Sequence, residues 1–112
     1  MSWLGKNDLV ETVKSDPLER VIEKATSDYA RRLGWRSKKF VSPNNRSVPD
    51  RIFTRFPAQI VFIEFKRLGL KPTKAQHNEI TAFRDEGFKV FVVDSVEAGR
   101  SVFDMLEKDL KC

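Results

Sequence analysis

The sequence predicts an α/β fold, a mixed central sheet flanked by helices in the order αβββαβα. Three observations predict it. Gln59-Ile60-Val61-Phe62-Ile63-Glu64-Phe65-Lys66 is an almost continuous apolar run, which suits a central strand covered on both faces. A helical segment separates that run from a second apolar strand pattern at Phe88 to Asp94, and a helix joining two neighbouring strands suggests a mixed sheet with helices on both faces. Runs of helical period stand at either end of the set.

The elements follow in order. Residues 1–16 form a short N-terminal segment, and residues 17–112 form the domain. In the segment, Asp8-Leu9-Val10-Glu11 resembles a cap and a brief helix with Leu9, Val10 and Val13 on one side. Asp16 can cap a clearer helix, with Pro17 tolerated in its first turn. There Leu18, Ile22, Ala25, Tyr29 and Leu33 recur at helical spacing until Gly34 stops the run. Trp35 to Val41 reads as a strand, and Ser42-Pro43-Asn44-Asn45 as a turn. Residues 50–56 and 59–66 read as two strands joined by a tight turn at Pro57-Ala58. Gly69 to Pro72 breaks the chain, Thr73 to Glu86 is a helix closed by Gly87, and Phe88 to Asp94 is a strand. Ser95 opens a last helix with Val102, Phe103, Leu106 and Leu110 on one side.

A chain of 112 residues, 40% apolar with nine Phe, can build one core. No stretch approaches the roughly 20 apolar residues needed to span a bilayer, and Met1 to Lys6 lacks the apolar run of a signal peptide. The single cysteine, Cys112, cannot form an internal disulfide, and no Cys/His cluster suggests zinc. A cytoplasmic, reducing setting is expected, with no membrane partner and no organic cofactor.

Charge is informative once mapped. Between Arg31 and Lys74 lie twelve of the 21 basic residues but only two of the 16 acidic ones, Asp50 and Glu64. A basic middle on an acidic frame is the footprint of a polyanion partner. Two carboxylates in the most basic stretch would repel that partner, unless a cation bridges them.

Glu64 and Lys66 stand at i and i+2, so they point to the same side of their strand. Ionised groups at the end of an apolar strand are costly unless paired or metal-bound; a plain Glu–Lys ion pair is the simpler reading. Asp50 adds to it. The midpoint between Asp50 and Glu64 is residue 57, inside the turn, so the two should lie almost opposite each other. A two-residue turn would instead pair Asp50 with Phe65, and one extra loop residue restores Glu64; the sequence leaves both registers open. Close carboxylates repel, and hard oxygen ligands suit Mg²⁺ or Mn²⁺.

These residues carry a resemblance. Val48-Pro49-Asp50-Arg51-Ile52 with Ile63-Glu64-Phe65-Lys66 resembles the Pro-Asp…(Asp/Glu)-x-Lys signature of the PD-(D/E)XK nucleases, which have a restriction-endonuclease-like core. Leu18 to Ile22 with Leu33-Gly34-Trp35, Gly69-Leu70-Lys71-Pro72-Thr73-Lys74-Ala75-Gln76, Gly87-Phe88-Lys89-Val90 and Val93-Asp94-Ser95 extend it to the virus-type replication-repair nuclease (VRR-NUC) family, across roughly residues 17–100. Ser47 stands where the family usually has Gly.

The resemblance implies roles. Asp50 and Glu64 would hold Mg²⁺ or Mn²⁺, with the Phe65 backbone carbonyl as a further ligand. Lys66 would orient or deprotonate the attacking water. Glu19, on the first helix, would help hold a metal or water, with Glu23 its rival. Gln76 matches the family's active-site Gln, although Thr73-Lys74-Ala75-Gln76 is also a capping box that explains it without catalysis. His77 reads as a surface residue.

Arg46, Arg51, Arg67, Lys71 and Lys74 are the expected phosphate contacts, which give affinity without reading sequence. Stand-alone members of the family resemble Holliday junction resolvases, act as homodimers on branched DNA and leave 5′-phosphate and 3′-hydroxyl ends. A dimer contact through residues 1–16, with Trp3, Leu4, Leu9 and Val10, and a phage or prophage source in a bacterial host are further expectations. The alternatives are a non-cleaving nucleic-acid-binding module and a flap, end or RNA-processing nuclease of the same fold.

Overall fold

The computed structural model describes residues 17–111. The N-terminal segment, its expected dimer contact and the Asp16 cap lie outside them.

Helix α1 (Pro17–Arg32) carries Ile22, Thr26 and Ala30 on one buried stripe, spaced by four. It ends where Gly34 takes φ +94° and the Trp35 N–H donates to the Ala30 carbonyl at 3.0 Å, a left-handed cap that a Cβ would strain. Leu18 belongs to the expected stripe by spacing, yet it is 57% exposed.

Strands β1 (Arg36–Lys39), β2 (Arg51–Arg55) and β3 (Gln59–Phe65) follow, then helix α2 (Lys74–Asp85), strand β4 (Lys89–Val93) and helix α3 (Val96–Lys111). The order αβββαβα is the expected one. β1 is shorter than Trp35 to Val41, because Trp35 closes α1 and the chain leaves the ladder after Lys39. The sheet order is β1-β2-β3-β4, with antiparallel pairs up to β3 and a parallel β3–β4 pair.

The two faces are covered differently. Phe53, Val61, Ile63, Phe65 and Val93 point to one face and meet Ile22, Ala30, Phe103 and Leu106 of α1 and α3. Ile52, Phe62 and Val90 point to the other face, where Ile80 and Phe83 of α2 cover them. Phe62 and Phe83 stack with ring centroids 4.7 Å apart. β3 is therefore buried on both sides from Val61 to Phe65, which explains its unbroken apolar run.

α1 and α3 approach closely at Gly99, where a Cβ would fall 2.0 Å from Thr26 Oγ1. α3 is capped by Ser95, whose Oγ accepts from the Ala98 N–H at 3.0 Å.

Candidate active site

The hairpin turn decides the register. Arg55 pairs with Gln59, so the loop holds three residues, Phe56 to Ala58, rather than the tight two-residue turn. Ala58 takes φ +52°, the left-handed step a three-residue hairpin needs. Arg51 stands opposite Ile63, so Asp50, just before β2, comes beside Glu64 and Phe65 at the end of β3. Both carboxylates sit at the end of β3, within reach of the Glu19 charge on α1.

Backbone bonds fix the pair. Asp50 Oδ2 accepts the Phe65 N–H at 2.8 Å, while its own carbonyl accepts the Phe40 N–H at 2.9 Å. Asp50 is thus held from both neighbouring strands. Lys66 stays in the ladder through its N–H to the Val93 carbonyl at 2.9 Å, and its Nζ lies 3.5 Å from Glu64 Oε2.

Glu64 is only 1% exposed, and its Oε1 has no hydrogen-bond partner among the described residues. Burial pushes its carboxyl up to about 8, the Asp50 charge adds to the rise, and Lys66 opposes it. Asp50 is also raised, first by burial and then by the Glu23 and Glu19 charges, against the Phe65 N–H and Lys66. An orphaned carboxylate oxygen in a site of excess negative charge is what a divalent cation satisfies. The all-oxygen donor set of Asp50 and Glu64 suits a hard ion.

The two glutamates of α1 separate clearly. Glu23 Oε2 accepts from Arg51 Nε at 2.5 Å and pairs with Lys39 Nζ at 3.2 Å. Glu19 Oε2 accepts the Arg67 N–H at 3.3 Å, and its charge reaches both Asp50 and Glu64. It does not complete a metal cluster: among the described residues no three His, Cys, Asp or Glu side chains converge on one point. Glu19 lines the site beside the Asp50–Glu64 pair.

Gln76 forms both halves of the capping box. Its N–H donates to Thr73 Oγ1 at 3.1 Å, and its Oε1 accepts the Thr73 N–H at 2.9 Å. The capping box alone accounts for its place at the start of α2.

Of the expected phosphate contacts, Arg46, Arg67, Lys71 and Lys74 are exposed. Arg51 is a correction. It lies on the α1 face of β2, 16% exposed, and its guanidinium is taken by Glu23 and by Ser37 Oγ at 2.9 Å. Arg55, on the same face, bonds Glu107 and the Leu33 carbonyl and lies over the Trp35 ring, 4.4 Å from its centroid. Sequence reasoning missed both, although β2 reads Arg51-Ile52-Phe53-Thr54-Arg55 and the period-2 rule puts both arginines on the face of Phe53. It also missed Arg36 and Lys38, which share the α2 face of the edge strand β1 and make no ion pair among the described residues.

No family model matches the chain. "Putative nuclease p44" of Acyrthosiphon pisum secondary endosymbiont phage 1 is 40% identical over 77 residues, 69% of this chain and 83% of that protein. A solved structure described as a VRR_NUC domain superposes with TM-score 0.73 at 26% identity, covering 77% of this chain and 94% of its own. The chain belongs to the VRR-NUC nuclease family. A second solved VRR_NUC domain protein shares the fold at TM-score 0.65 and 17% identity, over 79% of this chain and 86% of its own. Kinship makes this VRR-NUC chain a phosphodiester hydrolase acting on nucleic acid. Among its described residues no helix is long and apolar enough to cross a membrane.

Proposed function

We propose that this VRR-NUC nuclease is a Mg²⁺- or Mn²⁺-dependent, structure-selective DNA endonuclease that hydrolyses phosphodiesters of branched DNA during replication, recombination or repair. One observation supports the reading: the buried Glu64 Oε1 has no hydrogen-bond partner among the described residues, and the Asp50 carboxylate lies close enough for its charge to act on Glu64.

In this reading Asp50 and Glu64 would hold the cation, with the Phe65 carbonyl as a further ligand. The cation would neutralise phosphate charge and make water a better nucleophile near neutral pH. The Phe65 N–H fixes one Asp50 oxygen, leaving the other carboxylate oxygen for the ion. Lys66 orients the attacking water and steadies charge on the phosphate, held near Glu64 by their pairing. Glu19, beside the pair, holds water at the site. Arg46, Arg67, Lys71 and Lys74 position the backbone of the DNA without reading bases. A homodimer would place two such sites about a two-fold axis, suiting paired cuts. The phage relative supports a phage or prophage source acting in a bacterial cell.

The test is cleavage of labelled four-way junction, flap, intact duplex, single-stranded DNA and RNA, with Mn²⁺ and with chelator. The reading requires metal-dependent cutting that is strongest on the junction and lost in Asp50→Ala. Binding without cutting by wild type, matched by Asp50→Ala, would instead make the chain a non-cleaving binding module.

A further inference from the structure

The turn that follows Lys66 is built unlike an ordinary solvated loop. The Leu70 N–H donates to the Arg67 carbonyl at 3.1 Å, and Gly69 takes φ +92°, so residues 67–70 form a closed turn whose third residue needs the left-handed region. Its start is tied down, because the Arg67 N–H is held by Glu19. Beside Arg67, this turn presents two apolar side chains to solvent: Leu68 is 77% exposed and Leu70 is 44% exposed. Leu68 comes two residues after Lys66, within about 7 Å of it along the chain.

The flanking charge is of one sign. From Lys66 to Lys74 there are four basic residues and no acidic one. Lys71 and Lys74 are exposed and have no acidic partner among the described residues. An exposed apolar tip inside a basic collar, beside a nuclease site, is complementary to a polyanion with a hydrophobic interior. Among macromolecules, nucleic acid has that chemistry, with phosphates outside and stacked base faces within.

We propose that Leu68 and Leu70 form a wedge that enters DNA at a base step next to the cleaved phosphate, while Lys71 and Lys74 hold the phosphates beside it. Leucine is one of the apolar side chains that proteins insert between base steps. The apolar area two leucines can bury is comparable in free energy to the cost of opening one stacked step. Insertion into an intact duplex therefore gains little. At a junction, bulge or nick, where the step is already loosened, it gains more. The wedge thus makes the nuclease selective for DNA with an openable step. This rests on the nuclease reading above.

The experiment uses duplexes carrying 2-aminopurine at the step beside a bulge, bound by protein in a cleavage-silent Glu64→Gln background, and in parallel the cleavage rates of bulged and intact duplex by active protein. The wild-type loop should raise the fluorescence on binding. The Leu68→Ser/Leu70→Ser variant should lose that rise, and its preference for bulged over intact duplex should fall about tenfold. Leu68→Met/Leu70→Met, which keeps the apolar bulk, should retain both. Thermal melting of each variant shows that it is folded. The proposal is overturned if the serine variant unstacks the base and discriminates as wild type does. It is equally overturned if that variant changes only the native mass, which would assign the leucines to a protein contact. Absence of any metal-dependent cleavage would remove the nuclease reading instead, and the fluorescence arm would still decide the wedge.

Discussion

Glu64 occupies a place where a carboxylate has little else to do. It is enclosed at the end of the central strand; among the described residues its Oε1 has no hydrogen-bond partner and its Oε2 pairs with Lys66 Nζ at 3.5 Å. Its carboxyl is raised from 4.5 to about 8, so in metal-free protein the folded state keeps a proton that the unfolded chain has released. The folded state thus binds more protons between those values, and stability falls as pH rises from 4.5 to about 8, then levels off. Glu64→Gln removes this dependence. The variant should match wild type near pH 4 and exceed it above pH 8 by on the order of 5 kcal/mol, measured by denaturant unfolding in chelator. The same variant should lose cleavage by roughly a thousandfold or more, since the group that holds the ion is gone. A stability profile parallel to wild type would contradict a raised Glu64 carboxyl.

Elements hold Asp50 in place more than local sequence does. The Glu23–Arg51 pair bolts the start of β2 to α1, one residue from Asp50. Because both side chains are mostly enclosed, Glu23→Ala leaves the Arg51 guanidinium without its counter-charge and should cost about 2–3 kcal/mol in chemical denaturation. Arg51→Lys should not restore what is lost, as Lys cannot bond Glu23 and Ser37 together in that geometry. At the helix pair, Gly99→Ala should destabilise by about 1–3 kcal/mol through overpacking against Thr26, partly offset by the better helix propensity of Ala. Combining it with Thr26→Ala should recover much of that loss. Additive losses in the double-mutant cycle would mean that the two residues do not compete for the same space.

On the scale of the whole molecule, the architecture was legible because its strongest signals are periodic. β3 announced its double burial by an unbroken apolar run, and α2 carried both a capping box and a closing Gly87. The candidate site was legible as a set: Asp50, Glu64 and Lys66, singled out as the acids and lysine that charge alone does not explain, lie together in the fold. What sequence could not fix was the register, because it depends on one loop residue. Ala58 lacks the Gly or Asn signal of a left-handed turn position, yet it adopts φ +52°. Arg51 was misplaced because a map of charge along the chain ignores which face of β2 each arginine takes. Glu19 and Glu23 could not be separated, since both lie on one helix a turn apart and only their partners, the Arg67 N–H and Arg51, tell them apart.

Isothermal titration of Mn²⁺ into chelator-treated protein tests the central claim most directly. The account predicts saturable binding near neutral pH, with proton release as Glu64 ionises, lost in Asp50→Asn and in Glu64→Gln. Absence of binding heat in wild type, or the same isotherm in both variants, would contradict it.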